Sequence, residues 1–452
     1  MSSNTPDANP QPLSPAARRA LGVVFATLFI DLIGFSIIFP LFPGMLTYYR
    51  DVSDGSGLFG VLYHVVEGLN RLSGSPEGDW GIIVLFGGTL GGLYSLLQFL
   101  CAPYWGSLSD RWGRKPVLLL TMSGMLLSYV LWFFSGNFTL LVVSRLIGGI
   151  MSGNISTATA IVADVTDARN RGKGMAIIGI AFGFGFVVGP ALGGMASVID
   201  LTEHWPALAK IGINPYSMPA AIALLLTALN LVQVSLRLQE TRPATAGDGP
   251  HTQRTANVFA LFRAEFPGVR RTNLAYFLFL LAFSGMEFSL TFLAVERFGF
   301  SDQQNGYMFL FVGILLALVQ GSYVQRFSGR IGNKRMSLQG LAMIIPGLLI
   351  VGLAGHWQML WPFFIGLALL AAGAAQATPC LTALASVYAP AEAQGRVLGT
   401  FRSLGALARA LGPLIACVLY WRLGPTAAYF IGGIFVFVPM AVTTTLPQPA
   451  EG

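Results

Sequence analysis

Two carboxylates and three guanidinium groups, Asp31, Glu287, Arg145, Arg402 and Arg409, stand inside otherwise apolar stretches of a chain that is only 10% charged. A carboxylate at the middle of a bilayer costs about 2.5–3.5 kcal/mol on the insertion scale, so such a group is paired, protonated or facing water. Desolvation and nearby charge tune its proton affinity, which suits Asp31 and Glu287 to carrying protons. A static ion pair between helices is the other reading for Asp31, and for Glu287 a place near the outer surface beside an arginine. On its residues alone Arg145, in Ser144-Arg145-Leu-Ile-Gly148-Gly149 near the outer end of its run, is expected to snorkel to the outer interface. Arg402 and Arg409 lie two turns apart on one helical face. Arg409 is too deep to snorkel and is expected to meet an acid or an anionic substrate. These five groups sum to one positive charge, which favours anions or zwitterions as cargo. Gln98, Gln376, Phe35, Tyr94 and Phe288 are candidates for a cavity wall.

The elements that position these groups are membrane helices. The chain is 54% hydrophobic with a mean hydropathy of +0.66, too apolar for a soluble globule. Its apolar runs are about 20 residues long, the length that spans a hydrocarbon core as a helix, and not the alternating segments of a barrel. Twelve spans are expected, near 20–47, 81–104, 117–135, 138–163, 174–198, 218–236, 273–294, 305–324, 336–354, 358–388, 397–421 and 427–446. Residues 1–17 read as a disordered tail, 18–237 as an N-terminal six-helix half, 238–272 as a cytoplasmic linker, 273–446 as a C-terminal six-helix half and 447–452 as a tail. The connection 48–80 is expected to be disordered rather than a small cap.

Of the 27 Lys and Arg residues, nineteen fall on the side of the termini, five on the other, and three inside spans. The positive-inside rule therefore puts both termini in the cytoplasm. The net charge of +7 lies in these short loops, so it marks topology and no nucleic-acid partner. Cys101, Cys380 and Cys417 sit in or beside apolar runs, where a disulfide or metal site is not expected. No phosphate-binding Gly-x-x-x-x-Gly-Lys-Ser/Thr stretch and no nucleophile constellation occurs, so neither an ATP-driven pump nor an enzyme is expected, and no cofactor or metal.

Two motifs are more specific than any single charge. The loop Gly106-Ser-Leu-Ser-Asp110-Arg111-Trp-Gly113-Arg114-Lys115 packs four charges between two spans. It resembles the signature loop after the second helix of the major facilitator superfamily. Its counterpart, Gly321-Ser-Tyr-Val-Gln325-Arg326-Phe-Ser-Gly329-Arg330, has Gln where the first has Asp110. Asp110 is expected to act as a latch against Arg111, Arg114 or the start of the eleventh helix near Arg396 and Gly399. The string Gly185-Phe-Val-Val-Gly189-Pro190-Ala-Leu-Gly193-Gly194 resembles the antiporter motif of drug exporters. The Asp31 helix, with Gly34, Pro40 and Pro43, is similar to the first helix of tetracycline/proton antiporters.

On these residues the chain resembles the tetracycline-resistance branch of the superfamily, close to its tetracycline-transporter-like members. The resemblance implies an all-α membrane protein of two pseudo-symmetric six-helix halves, alternating access, and proton-coupled efflux of tetracycline-like drugs or organic anions. It also implies a role for Arg145 in proton transfer. A facilitator or symporter of a sugar or organic acid, and a non-transporting receptor or scaffold, are the alternative readings. A monomer in the plasma membrane, with a small-molecule substrate, protons and bilayer lipid as its partners, is expected.

Overall fold

The computed structural model describes residues 14–53, 57–73, 78–166, 171–242, 266–390 and 394–448, and every regular element among them is helical. Helix α1 (Pro15–Ser36) starts on a proline whose missing N–H is no loss there, with the Ser14 hydroxyl accepting from the Ala17 amide at 3.1 Å. The expected tail is thus helical from Pro15, while residues 1–13 lie outside the described residues. Pro40 and Pro43 break the first span into α1, a 3-10 turn at Phe39–Leu41 and α2 (Phe42–Val52).

The connection expected to be disordered is largely helical. After α2 comes α3 (Gly57–Ser73), anchored by Phe59, whose ring stands 5.1 Å from Phe86 and 5.0 Å from Phe138. Phe59, Tyr63 and Val66 recur at helical spacing, which gives this segment a face to bury on the bundle.

Then follow α4 (Gly78–Trp112), α5 (Arg114–Phe133), α6 (Phe138–Met151), α7 (Asn154–Val165), α8 (Arg171–Ala196), the short α9 (Leu201–His204) and α10 (Ser217–Arg237). Helices α6 and α7 form one span with a break at Ser152 and Gly153. Beyond residues 243–265, which lie outside the described residues, α11 (Pro267–Phe298) begins earlier than the expected boundary at 273, because Pro267 suits a first helical turn. The rest is α12 (Asp302–Leu318), a π-helical turn at Val319–Val324, α13 (Gln325–Ile331), α14 (Asn333–Trp357), α15 (Leu360–Val387), α16 (Gln394–Phe435) and α17 (Phe437–Thr444). Eleven described stretches are long and apolar enough to cross a bilayer, and the last, Val397–Thr444, turns at Gly424 (φ 80) before Pro425. That turn makes twelve spans, in two sets of six.

Spans that cross in alternation bring residue 15 and residues 444–448 to one face, here the proximal face. Polar contacts confirm the grouping: the Arg242 Nη1 donates to the Arg111 carbonyl at 2.5 Å, and the Arg271 Nη1 to the Thr445 carbonyl at 2.6 Å. Two seams join the sets. Along one, α8 lies between α1 and α12. A methyl on Gly193 would stand 1.9 Å from the Ile37 carbonyl, and one on Gly194 would stand 2.6 Å from the Gly306 Cα. Only glycine permits backbones this close without an intervening side chain. Along the other, Gly88 and Gly92 of α4 receive Cys417 and Leu414 of α16.

Candidate functional site

Between the seams lies a cavity of about 20 Å³. The first set of spans contributes Phe35, Phe39, Gly91, Ser95 and Phe186, and the second Ser284, Glu287, Phe288, Arg409 and Pro413. That volume holds about one water, so the structure is closed around its centre. Aromatic edges seal it: Phe39 meets Phe186 at 6.3 Å and, across the two sets, Phe288 at 5.9 Å. An acid and a guanidinium among phenylalanines is the lining expected for an amphipathic ligand, whose apolar body is desolvated while one polar group fixes its orientation.

Asp31 lies one helical turn below Phe35 on the same face of α1. Its carboxylate accepts from the Asn154 Nδ2 at 2.7 Å, and the Asn154 oxygen accepts in turn from the Thr121 hydroxyl. Asn154 opens α7, so the break at Ser152 and Gly153 is what aims it at Asp31. Among the described residues Asp31 forms no ion pair.

Arg145 is 4% exposed and does not snorkel, contrary to that expectation. Its guanidinium lies over the Trp132 ring at 4.7 Å, with its Nη2 buried and without a hydrogen-bond partner. Tyr94 and Tyr129 are buried and lie within electrostatic reach of both Arg145 and Asp31.

In the second set Glu287 faces Arg409 electrostatically. Both side chains line the cavity. Glu287 therefore lines the centre and does not lie near a surface. Arg409 donates to the Tyr276 hydroxyl, and Tyr276 stacks on Phe401 with ring centres 3.8 Å apart. Two turns towards the proximal face, the Arg402 Nη1 donates to the Thr159 hydroxyl at 3.0 Å, a bond that crosses from one set of spans to the other.

Of the other expected wall residues, Phe288 lines the cavity and Tyr94 stands behind Phe35, 5.1 Å from its ring. Gln98 and Gln376 do not line it. Ser95 takes the place expected of Gln98, one turn earlier. Gln376 is folded against α14, donating to the Ala372 carbonyl at 3.0 Å and the Met343 sulfur at 3.2 Å. Asn154, Tyr276, Ser284 and Thr159 were not anticipated. Asn154 had a signal in the polar Ser152-Gly-Asn154 run inside a span, while the others look in sequence like ordinary helix residues.

At the proximal face Gly113 (φ 102) turns the chain between α4 and α5, a conformation that favours glycine. The loop's hub is Arg114, 9% exposed: its Nη1 donates to Asp110 at 2.5 Å and Ser109 at 2.8 Å, and its Nε to Asp164 of α7 at 2.8 Å. Glu240, just beyond α10, accepts from the amides of Arg114, Lys115, Thr241 and Arg242. Burial opposes its charge, but these four donors outweigh that and hold the carboxyl below its ordinary range. Lys115 also reaches the Ser235 carbonyl at 2.8 Å. Asp110 is therefore bonded locally by Arg114, and a methyl on Gly399 would meet open space. The Arg396 side chain lies outside the described residues. Gly185 and Gly189 pack on Leu32 and Ser36 of α1, with Pro190 and Gly193 continuing the same seam.

Twelve spans in two sets of six, meeting at a central cavity with an acid and a guanidinium, define a membrane transport protein. The sequence profile of the Major Facilitator Superfamily matches residues 24–413 and 324–451, and the chain belongs to that family. Major facilitator superfamily domain-containing protein 10 of Bos taurus is 36% identical over 447 residues, 96% of this chain and 94% of that one. The class C tetracycline resistance protein of Escherichia coli is 28% identical over 406 residues, 89% of this chain and 90% of that one. The narrower expectation of a tetracycline branch is thus less well supported than a likeness to the domain-containing protein 10 relatives. Among solved structures, that of the human organic anion transporter MFSD10 (TETRAN) has a TM-score of 0.74 at 35% identity, covering 95% of this chain and all of that one (100%). A D-xylose-proton symporter shares the fold, with a TM-score of 0.70 at 14% identity.

Proposed function

We propose that this protein is a secondary active transporter that moves amphipathic organic anions out of the cell against an inward flow of protons, by alternating access. The observation that carries this reading is the central cavity. Its walls come equally from both sets of spans, and it offers Arg409 to an anionic group, phenylalanine rings to an apolar body, and Glu287 to a proton. Arg402, two turns away, extends the positive path towards the proximal face, which we take as cytoplasmic. A cavity with room for about one water must enlarge to admit such a cargo, which requires the two sets to move apart. The likeness to a protein named as an organic anion transporter supports the substrate class. Asp31, with Tyr94, Tyr129 and Arg145 in its electrostatic neighbourhood, supplies a second proton site in the first set. The Asp110–Arg114–Asp164 cluster holds the proximal ends of α4, α5 and α7 together as they move. We place the protein as a monomer in the plasma membrane.

A proton symporter of organic acids is the second reading, and the facing of Glu287 and Arg409 favours it, because a proton on the acid leaves the guanidinium's charge for an anion. Purified protein in proteoliposomes, loaded with a fluorescent aromatic carboxylate, separates the two. Exchange predicts efflux accelerated by an acidic exterior; symport predicts the reverse dependence. Flux indifferent to the gradient, or unchanged in Asp31→Asn with Glu287→Gln, would remove proton coupling altogether.

A further inference from the structure

The distal seam holds a carboxyl that neither the central cavity nor the proximal loop uses. Asp302 opens α12, whose first turn is fixed by a capping box between Ser301 and Gln304. Its side chain crosses to the first set of spans, where the Tyr216 hydroxyl at the start of α10 donates to it. Both groups press on Gly44 of α2: a methyl there would stand 2.5 Å from the Tyr216 hydroxyl and 2.8 and 2.9 Å from the two carboxyl oxygens. One turn on, the Asn305 Nδ2 donates to the Pro40 carbonyl at 3.3 Å, and Gly306 meets Gly194 backbone to backbone. The carboxyl thus lies in the contact that shuts the distal face.

Among the described residues no lysine or arginine pairs with it. The titratable groups near it are Tyr216 and, beyond, Tyr48 and Tyr49, with Asp200 acting on Tyr48. The distal charges of α11, Glu296 and Arg297, pair with each other at 3.0 Å. Burial and the neighbouring carboxyl push the Tyr216 hydroxyl well up, so it remains a proton donor. One phenol cannot satisfy an ionised carboxylate, which offers about four acceptor sites, and closing the seam around it removes the water that would.

We propose that Asp302 is a proton-binding site of the distal gate, holding α12 on Tyr216 and Gly44 when protonated and letting the seam part when ionised. For its place in the cycle this rests on the proposed exchange: a proton taken up from the distal side shuts that side behind it. The gate itself is tested without transport. Spin labels at Trp205→Cys and Trp357→Cys, both exposed near the distal ends of their sets, are placed on a chain whose Cys101, Cys380 and Cys417 are replaced. Their separation in lipid nanodiscs is measured from pH 5 to pH 9 with no substrate and no gradient. The separation is expected to lengthen as pH rises, Asp302→Asn to hold the short distance throughout, and Tyr216→Phe to lengthen at lower pH. A distance that ignores pH, an Asp302→Asn chain that titrates unchanged, or no shift in Tyr216→Phe overturns the proposal. An Asp302-dependent titration in a protein whose flux ignores a pH gradient upholds the gate and removes the exchange. Gradient-driven flux with Asp302→Asn titrating unchanged does the opposite.

Discussion

Tyr129→Phe separates what a buried hydroxyl does for the fold from what it does for transport. The Tyr129 ring is 1% exposed and lies on α1 at Gly34, where a methyl would stand 2.2 Å from the hydroxyl. That hydroxyl is buried without a hydrogen-bond partner, a condition that costs about 1–3 kcal/mol. Phenylalanine keeps the ring contacts and removes the unsatisfied group, so the variant should gain about 1–2 kcal/mol. For a chain of this length that is an increase of about 1–3 °C in melting temperature, by extension from smaller domains. A group kept at such a cost is expected to serve function, and Tyr129 stands where the fields of Asp31 and Arg145 overlap. Proton-driven flux should therefore fall at least about tenfold. Thermal unfolding followed by tryptophan fluorescence and flux in proteoliposomes read the two effects on one preparation. A melting temperature lowered by the substitution would show that the hydroxyl is bonded in the working protein, and unchanged flux would show that its position serves nothing.

Three further outcomes follow from other parts of the structure. Gly193→Ala places a methyl against the Ile37 carbonyl, and the shift of α8 from α1 that it forces should cost about 1–3 kcal/mol and most of the transport rate, measured by unfolding and flux together. Glu240, its carboxyl held below the ordinary value of 4.5, contributes stability that is in place above pH 4.5 and is lost as pH falls through the lower folded value; Glu240→Gln, which keeps only one oxygen for the four amides, should melt lower than the parent at pH 7 and converge with it in acid. Gln98→Ala and Gln376→Ala should leave substrate affinity within about twofold, as Gln376 bonds α14 and not the cavity, and binding by fluorescence quenching checks both.

The twelve spans were legible because length and hydropathy alone decide a membrane helix: the break expected between 421 and 427 falls at Gly424, while α11 starts earlier than expected, at Pro267, and α4 runs on past Pro103 to Trp112. Single charges in apolar runs were equally legible, since few arrangements excuse their cost. What they touch was not. Asp31 meets Asn154 through a break that depends on how α6 and α7 pack against α4 and α5. Arg114, rather than Asp110, became the hub because Asp164 and Glu240 converge on it from 50 and 126 residues away. Neither acid has a local pattern that would announce it. Gln376 missed the wall for a related reason: polarity inside a span marks a partner, and its partners are the Met343 sulfur and the Ala372 carbonyl.

For the proton-coupled transporter proposed above, the central site also constrains how protons and cargo would be coupled. Adding a proton to Glu287 removes a negative charge facing Arg409, and any anion held by Arg409 then binds more tightly. For separations of roughly 5–8 Å at an effective dielectric of about 20, the gain is about 2–3 kcal/mol, tens-fold in affinity. Local electrostatics thus load proton and anion together, which is the sense of symport. Exchange of a proton for an anion has to be imposed elsewhere, by gates that decide which loaded forms can change face, and Asp302 in the distal seam and Arg402–Thr159 nearer the proximal face lie where such gates act. The equilibrium affinity of the purified protein for an aromatic carboxylate should accordingly strengthen as pH falls, in an exporter as much as in an importer. Glu287→Gln should fix it at the tighter, acid value across the whole range. Calorimetric titration at several pH values would refute this if affinity weakened in acid, for then Glu287 and the anion would not share Arg409, and the cavity would hold its cargo by the phenylalanine walls alone.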